Sequence, residues 1–240
     1  MVGVLALTAT ACSSDDLPTF AMPERNATNQ APRILSLWQG SWIAAFAVGA
    51  LVWGLIIWSV IFHRRKPDET ELPPQVRYNL PIEVLYTAVP LVIIAVFFFF
   101  TARDESKIMK VDNPQHVITV TGIQWSWQFT YTSDGGDQAT VTGTPGNPPT
   151  LYLPEGESVE FQLRSDDVIH SFYVPAFLFK EDVIPGRNNH FQLTPTKVGV
   201  FKGKCAELCG RDHSRMLFNV EVVPADQFQS HVDAAKEGNQ

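Results

Sequence analysis

The segment 205–216, Cys-Ala-Glu-Leu-Cys-Gly-Arg-Asp-His-Ser-Arg-Met, places two thiols, an imidazole and a thioether within twelve residues. The spacing is Cys-x3-Cys-x3-His-x2-Met, and His170 stands upstream in Asp-Val-Ile-His-Ser, residues 167–171. Thiolate and thioether are soft donors and imidazole suits copper, so the set favours copper over the hard cations. A single blue-copper ion would use one Cys, two His and a weak Met ligand. Here there is a second Cys in the same loop, and two thiolates can bridge two copper ions. Other chemistry fits the spacing too. Cys205 and Cys209 could form a disulfide in an exported domain, or a Cys2His2 set could hold zinc. Met216 could be an ordinary gap-filling core side chain.

The elements that position these residues read as β-structure. Residues 116–121, 158–163 and 216–223 alternate apolar with polar, and Gly, Pro, Asn and Asp clusters separate them at short intervals, as in a sandwich or barrel. Residues 133–149 are rich in Gly, Thr and Pro and read as a long surface loop. The tail, 225–240, reads as a short terminal helix without an assigned role.

Two uncharged stretches precede this domain. Residues 34–62 carry no charge and place Trp38, Trp42, Trp53 and Trp58 toward the two ends. About 20 apolar residues cross the hydrocarbon core, and Trp favours the interfaces. The second span is expected over 83–102, with Glu83 at its boundary. The loop between them, 63–82, opens with His63-Arg64-Arg65-Lys66, which argues for a cytoplasmic loop. Both ends of the chain then lie outside, with 103–224 as an exported domain. Residues 13–33 read as a flexible exported tether. The small-residue run ending at Cys12 is similar to a bacterial lipoprotein signal over 1–12, which predicts lipidation of Cys12. Ala9 stands where Leu is usual, and no Lys or Arg precedes the apolar stretch, so the true start is expected upstream of Met1.

The net charge is -7. From Arg103 onward there are 12 Lys/Arg against 18 Asp/Glu. An acidic domain repels nucleic acid and attracts basic proteins, so no nucleic-acid partner is expected.

Taken with their order, these features resemble subunit II of the haem–copper cytochrome c oxidases over nearly the whole chain. The matching motifs are Gln-Trp-Ser-Trp at 124–127, Asp-Val-Ile-His-Ser at 167–171, Ile-Pro-Gly-Arg at 184–187, the ligand loop 205–216, and Ile-Glu-Val-Leu-Tyr-Thr-Ala-Val-Pro at 82–90. The resemblance implies a two-helix transmembrane hairpin in the bacterial plasma membrane carrying an all-β cupredoxin-type Greek-key barrel with a dinuclear copper A centre. It implies that His170, Cys205, Cys209, His213 and Met216 ligate copper by side chain, and Glu207 by its backbone carbonyl. The Glu207 carboxylate is then directed to magnesium shared with subunit I. Trp125 becomes the electron-entry residue and Glu83 the entrance of a proton-uptake channel. Asp166, Asp167 and Glu207 become docking acids for cytochrome c. Subunits I and III are the expected partners, and haem and oxygen reduction belong to subunit I.

The chain has no Cys-x-x-Cys-His, so no fused c-type haem is expected. The copper ligands set it apart from quinol-oxidising relatives. Arg211 and Arg215, inside the ligand loop, are basic where many relatives are neutral. Two rivals remain: a membrane-anchored copper carrier, for which Trp125 has no use, and nitrous oxide reductase, which lacks the helical hairpin.

Overall fold

A computed structural model describes residues 19, 21–22, 27–66, 68, 71–72, 74–132, 136 and 138–237. Cys12 and its lipidation lie outside the described residues. Two long helices come first, α1 over Ala31–Phe62 and α2 over Leu80–Ile108. Among the described residues, nothing covers their most apolar stretches. Rows of exposed Leu, Ile, Val and Phe on both helices are costly in water and are solvated by lipid. The second helix runs six residues past the expected limit at 102, because Arg103, Asp104, Glu105 and Lys107 carry it out of the apolar zone.

The start of α2 is closed by two reciprocal contacts. The Asn79 side chain accepts from the Ile82 amide at 3.4 Å, and the Glu83 carboxylate accepts from the Asn79 amide at 2.9 Å. Both satisfy amides that a helix end leaves unpaired. At the outer end of the hairpin, buried Asp104 lies 3.3 Å from an Arg33 nitrogen and 2.9 Å from one of Arg103. That carboxylate ties the beginning of α1 to the end of α2.

The tether expected over 13–33 is not free along its whole length. The Asn29 amide donates to the Thr194 carbonyl and the Thr196 amide to the Ala27 carbonyl, both at 3.0 Å. Ala27 and Thr28 are buried. Ala31 and Leu35 of α1 then pack on Leu178 of the β-domain. The backbone of 27–30 finds partners beside the end of a strand, and so seats the β-domain on the hairpin.

Among the described residues the β-domain has ten strands: β1 His116–Ile123, β2 Ser126–Thr132, β3 Gln138–Thr142, β4 Thr150–Pro154, β5 Val159–Ser165, β6 His170–Val174, β7 Phe179–Val183, β8 Asn189–Leu193, β9 Gly199–Cys205 and β10 Leu217–Val223. They form two five-stranded sheets, ordered β3-β2-β1-β5-β8 and β4-β10-β9-β6-β7. Only β1 with β5 and β4 with β10 run parallel; the other pairs are antiparallel. Each sheet thus contains one long-range parallel pair, and the two sheets face each other as the cupredoxin-type Greek-key fold. Part of the loop expected over 133–149 is β3, whose Gln-Ala-Thr-Val-Thr pairs with β2. Its β-branched residues supply the pleated surface that Gly and Pro around them obscure in sequence. A last helix, α3 over Ala225–Glu237, buries Phe228 and Val232 against the core.

Alternation along the strands fills the space between the sheets. Trp127, Phe129, Phe161, Phe172, Phe191 and Phe218 are all buried. Phe172 stacks on Phe218 at 4.9 Å between centroids, and Phe161 on Phe191 at 4.8 Å. Each such side chain contributes about 1.5–3 kcal/mol by leaving water. This rigid aromatic core ends directly beneath the ligand loop.

Candidate metal centre

Four pieces of chain converge at one end of the barrel. His170 opens β6 and Cys205 ends β9, and these strands pair so that Phe172 faces Cys205. After β9 the chain turns out through 206–216 and returns at β10. A short 3-10 turn over His213–Arg215 shapes its far side. The Cys205 amide donates to the Met216 carbonyl at 3.0 Å, which closes the loop at its base. Spacing alone brings Cys205, Cys209, His213 and Met216 into one loop; the β6–β9 pairing adds His170.

The two sulfurs of Cys205 and Cys209 are 3.8 Å apart, far outside the roughly 2.05 Å of a disulfide. Around them the other donors are shared out. Cys205 Sγ is 3.9 Å from His170 Nδ1 and 3.2 Å from the Glu207 carbonyl oxygen. Cys209 Sγ is 3.5 Å from His213 Nδ1 and 3.7 Å from Met216 Sδ. Each thiol therefore touches one imidazole nitrogen and one weaker donor. His170 and Met216 are fully buried and both cysteines nearly so. Ligand atoms of His170, Cys205 and Cys209 all lie within 4.8 Å of one another. The soft donors are compatible with copper, and the two facing thiols are close enough to share metal. Met216 fills the core and also turns its sulfur to Cys209.

The electrostatics separate the two thiols. Burial acts to raise the Cys205 thiol, but the His170 imidazole, backbone groups of Glu207 and Ser171, and Cys209 outweigh it and bring it down to about 7. Burial pushes Cys209 up to about 12, and the neighbouring Cys205 adds to the rise. The first thiolate forms readily and holds back the second.

Asp167 and Gln124 matter more than the sequence indicated. Asp167 Oδ1 is 2.8 Å from His170 Nε2, while its other oxygen accepts the Gln124 amide at 2.7 Å. Burial opposes its ionisation, yet the Val168 amide, His170 and the Gln124 amide hold its carboxyl below the usual range. For His170, burial lowers basicity while Cys205 and Asp167 raise it, and the net shift is upward. Asp167, expected as a docking acid, has its carboxylate held by the His170 ring and by the Gln124 and Val168 amides. The signal for this was its place three residues before His170, where a loop turn can return a carboxylate to the ring.

Trp125 packs against the same loop. Its Nε1 donates to the Cys209 carbonyl at 3.2 Å, and the Gln124 side-chain amide donates there too, at 2.8 Å. Gly210 has a left-handed φ of 124°, and a Cβ there would come within 3.0 Å of Trp125 Nε1. The Arg211 guanidinium lies 5.3 Å from the Trp125 ring centre. Trp127, by contrast, is buried and donates to the Met216 carbonyl at 3.4 Å. Glu207 turns its carbonyl to Cys205 and leaves its side chain exposed. Glu83 is not part of this cluster; it caps the far end of α2.

Residues 148–223 match the model of the cytochrome c oxidase subunit II periplasmic domain. A Streptomyces coelicolor protein assigned as cytochrome c oxidase subunit 2 is 52% identical over 98% of this chain and 85% of its own length. Cytochrome c oxidase subunit 2 of Mycobacterium tuberculosis is 37% identical over 99% and 81% respectively. Among solved structures, the periplasmic domain of subunit II of cytochrome oxidase from Bradyrhizobium japonicum is 34% identical. It covers 54% of this chain and 99% of that one, with a TM-score of 0.48. The two spans lie in the bacterial plasma membrane and the β-domain stands on its outer face. With relatives of this identity over almost its full length, the chain belongs to the cytochrome c oxidase subunit II family.

Proposed function

We propose that this chain is the electron-entry relay of a haem–copper oxidase. It takes single electrons from a cytochrome c at a dinuclear copper centre and passes them to haem in subunit I. Oxygen is reduced to water there, coupled to proton pumping. The observation that carries the reading is the pair of unbonded thiols 3.8 Å apart, each touching one imidazole and one weaker donor. Cys205 and Cys209 would hold both ions between them, with His170, His213, Met216 and the Glu207 carbonyl completing the set. Copper bound there supplies one-electron redox chemistry.

The chain's own residues do the rest. The aromatic floor of Trp127, Phe172 and Phe218 excludes water beneath the loop. Asp167 keeps the His170 ring turned so that Nδ1 faces Cys205. Trp125 bridges the surface and the loop through the Cys209 carbonyl, a short covalent and hydrogen-bonded route to one thiol. Its indole reaches the outside, where a donor can approach.

Three further roles belong to the same reading. The exposed Glu207 carboxylate supplies oxygen for magnesium shared with subunit I, a hard cation suited to carboxylate. Glu83 lies at the cytoplasmic end of α2, where a proton entrance to the partner subunit would open. Subunits I and III cover apolar faces of the hairpin, and a lipid on Cys12 adds a second anchor.

Copper reconstitution of the full chain in detergent tests the centre. Two copper ions per chain are expected, with strong thiolate absorption, and Cys209→Ser should abolish the paired signal. A single bound ion of any metal at saturation would refute the dinuclear reading.

A further inference from the structure

Asp104 is a buried carboxylate that the metal centre does not use. Its Oδ1 lies 3.3 Å from Arg33 Nη1, 3.0 Å from Arg103 Nε and 2.9 Å from Arg103 Nη2. The carboxylate is 7% exposed, so α1 and α2 are clamped at their outer ends around a charge largely removed from water. The clamp is one link of a closed ring. Before α1, residues 27–30 lie along the end of β8. There the Asn29 amide donates to the Thr194 carbonyl, and the Asn29 side chain accepts the Thr194 amide at 2.9 Å. After α2, residues 109–115 run to the same strand. The Asp112 amide donates to the Gln192 side chain at 2.6 Å, and Gln192 Nε2 donates back to the Asp112 carbonyl at 3.3 Å. Because β8 is the edge strand of its sheet, both membrane helices fasten to a single edge of the β-domain.

Resting on the reading of this chain as a relay to haem in subunit I, we infer that Asp104 is a positioning residue for the onward electron transfer. Chain connections alone leave a domain free to tilt unless a large apolar interface holds it. The apolar contact here is small, with Ala31 and Leu35 against Leu178 at its centre. Orientation therefore depends on the polar ring, which closes only while α1 and α2 are held together. Without the carboxylate, Arg33 and Arg103 would face each other as uncompensated like charges, and the helix ends that carry both connections would part. A tilt about β8 is then carried through the β-domain to the ligand loop. Electron transfer falls steeply with separation, and a misplacement of about 1 Å arising far from the chemistry can cost about a hundredfold in rate. The clamp lies outside the cluster of His170, Cys205 and Cys209, so copper binding and entry through Trp125 stay as they are. One electron passes from the metal centre to haem, and no bond forms or breaks.

The test uses the purified oxidase complex with Asp104→Asn, which keeps the shape and removes the charge. Asn29→Ala and Gln192→Ala open the ring at its other two links. In each variant a donor reduces the metal centre, and its re-oxidation is matched to haem reduction by rapid optical spectroscopy. Onward transfer should slow by about threefold or more in all three, while copper absorption and the rate of reduction by the donor match the parent. Hydrogen exchange of the Asn29 and Thr196 amides is measured in parallel on the metal-free full chain in detergent. These amides should exchange about tenfold or more faster in Asp104→Asn, while amides paired between β1 and β5 keep their protection. Onward transfer at the parent rate in Asp104→Asn, or unchanged exchange of the two amides, would overturn the inference. So would loss of copper absorption together with the rate, which would make Asp104 a support of the centre itself. Should Asp104→Asn fail to assemble, the Asn29 and Gln192 variants decide by the same two readings. If the parent complex passes no electron from copper to haem, the relay reading fails and this inference with it. Faster amide exchange with normal onward transfer would refute the positioning role alone.

Discussion

Asp167 Oδ1 lies 2.8 Å from His170 Nε2, and the opposite ring nitrogen faces Cys205 Sγ at 3.9 Å. The imidazole is thereby held between a carboxylate and a thiol, so its tautomer and tilt are set before any metal arrives. A ligand histidine anchored through its second nitrogen is a stronger and better oriented donor. Replacing Asp167 by Asn keeps the shape but removes the charge. Copper affinity should fall about 10–100-fold, measured by competition with a chelator. An unchanged affinity would assign Asp167 to the surface alone.

The unequal thiols predict a pH signature for metal uptake. Both must lose their protons to ligate. Cys209, pushed up to about 12, remains protonated across the ordinary range and should release a proton on binding at any pH there. Cys205, near 7, is already ionised above about 8 and protonated below about 6. Thiol proton release should therefore approach one per chain at the upper pH and two at the lower, and because His170 is shifted upward its own proton adds to the count within the same range. Apparent copper affinity should rise with pH and flatten in slope above the Cys205 titration. Indicator-dye proton counts during copper addition check this, and a pH-independent count would disprove the separation of the two thiols.

Trp125→Phe retains a ring but loses the hydrogen bond to the Cys209 carbonyl. Electron entry should slow by on the order of tenfold, equivalent to about 1.4 kcal/mol of barrier, while copper absorption stays intact. Loss of the absorption together with the rate would make the residue a structural support for the loop.

Gly122 on β1 leaves room for the His170 ring. A Cβ there would come within 2.8 Å of the ring's Cδ2 and 3.0 Å of its Cγ. His170 is buried and cannot retreat, so Gly122→Ala forces either the strand or the ligand to move. The apo protein should lose about 1–3 kcal/mol, seen as a lower midpoint in denaturant, and copper absorption should weaken. A variant as stable as the parent with full copper binding would show the ring has slack.

Much of the molecule follows from local pattern. Charge-free stretches over 34–62 and 84–102 specify membrane helices because hydrocarbon admits no unpaired charge or backbone group. The period-two alternation of 116–121 and 216–223 specifies strands because one face of each must be dry. The loop from Cys205 to Met216 is a local unit, so four donors are apparent from spacing. Tertiary structure decided what spacing cannot encode. His170 joins because β6 pairs with β9, a relationship between residues 33 apart that arises only once both sheets form. Asp167 accepts the Gln124 amide, and Arg211 comes over Trp125, because chain segments distant in sequence share one end of the barrel. Strand β3 inside an apparent loop, and the strap of 27–30 beside β8, likewise depend on partners elsewhere in the chain. Local pattern reports which way a residue tends to face, and only the assembled sheets settle what it meets there.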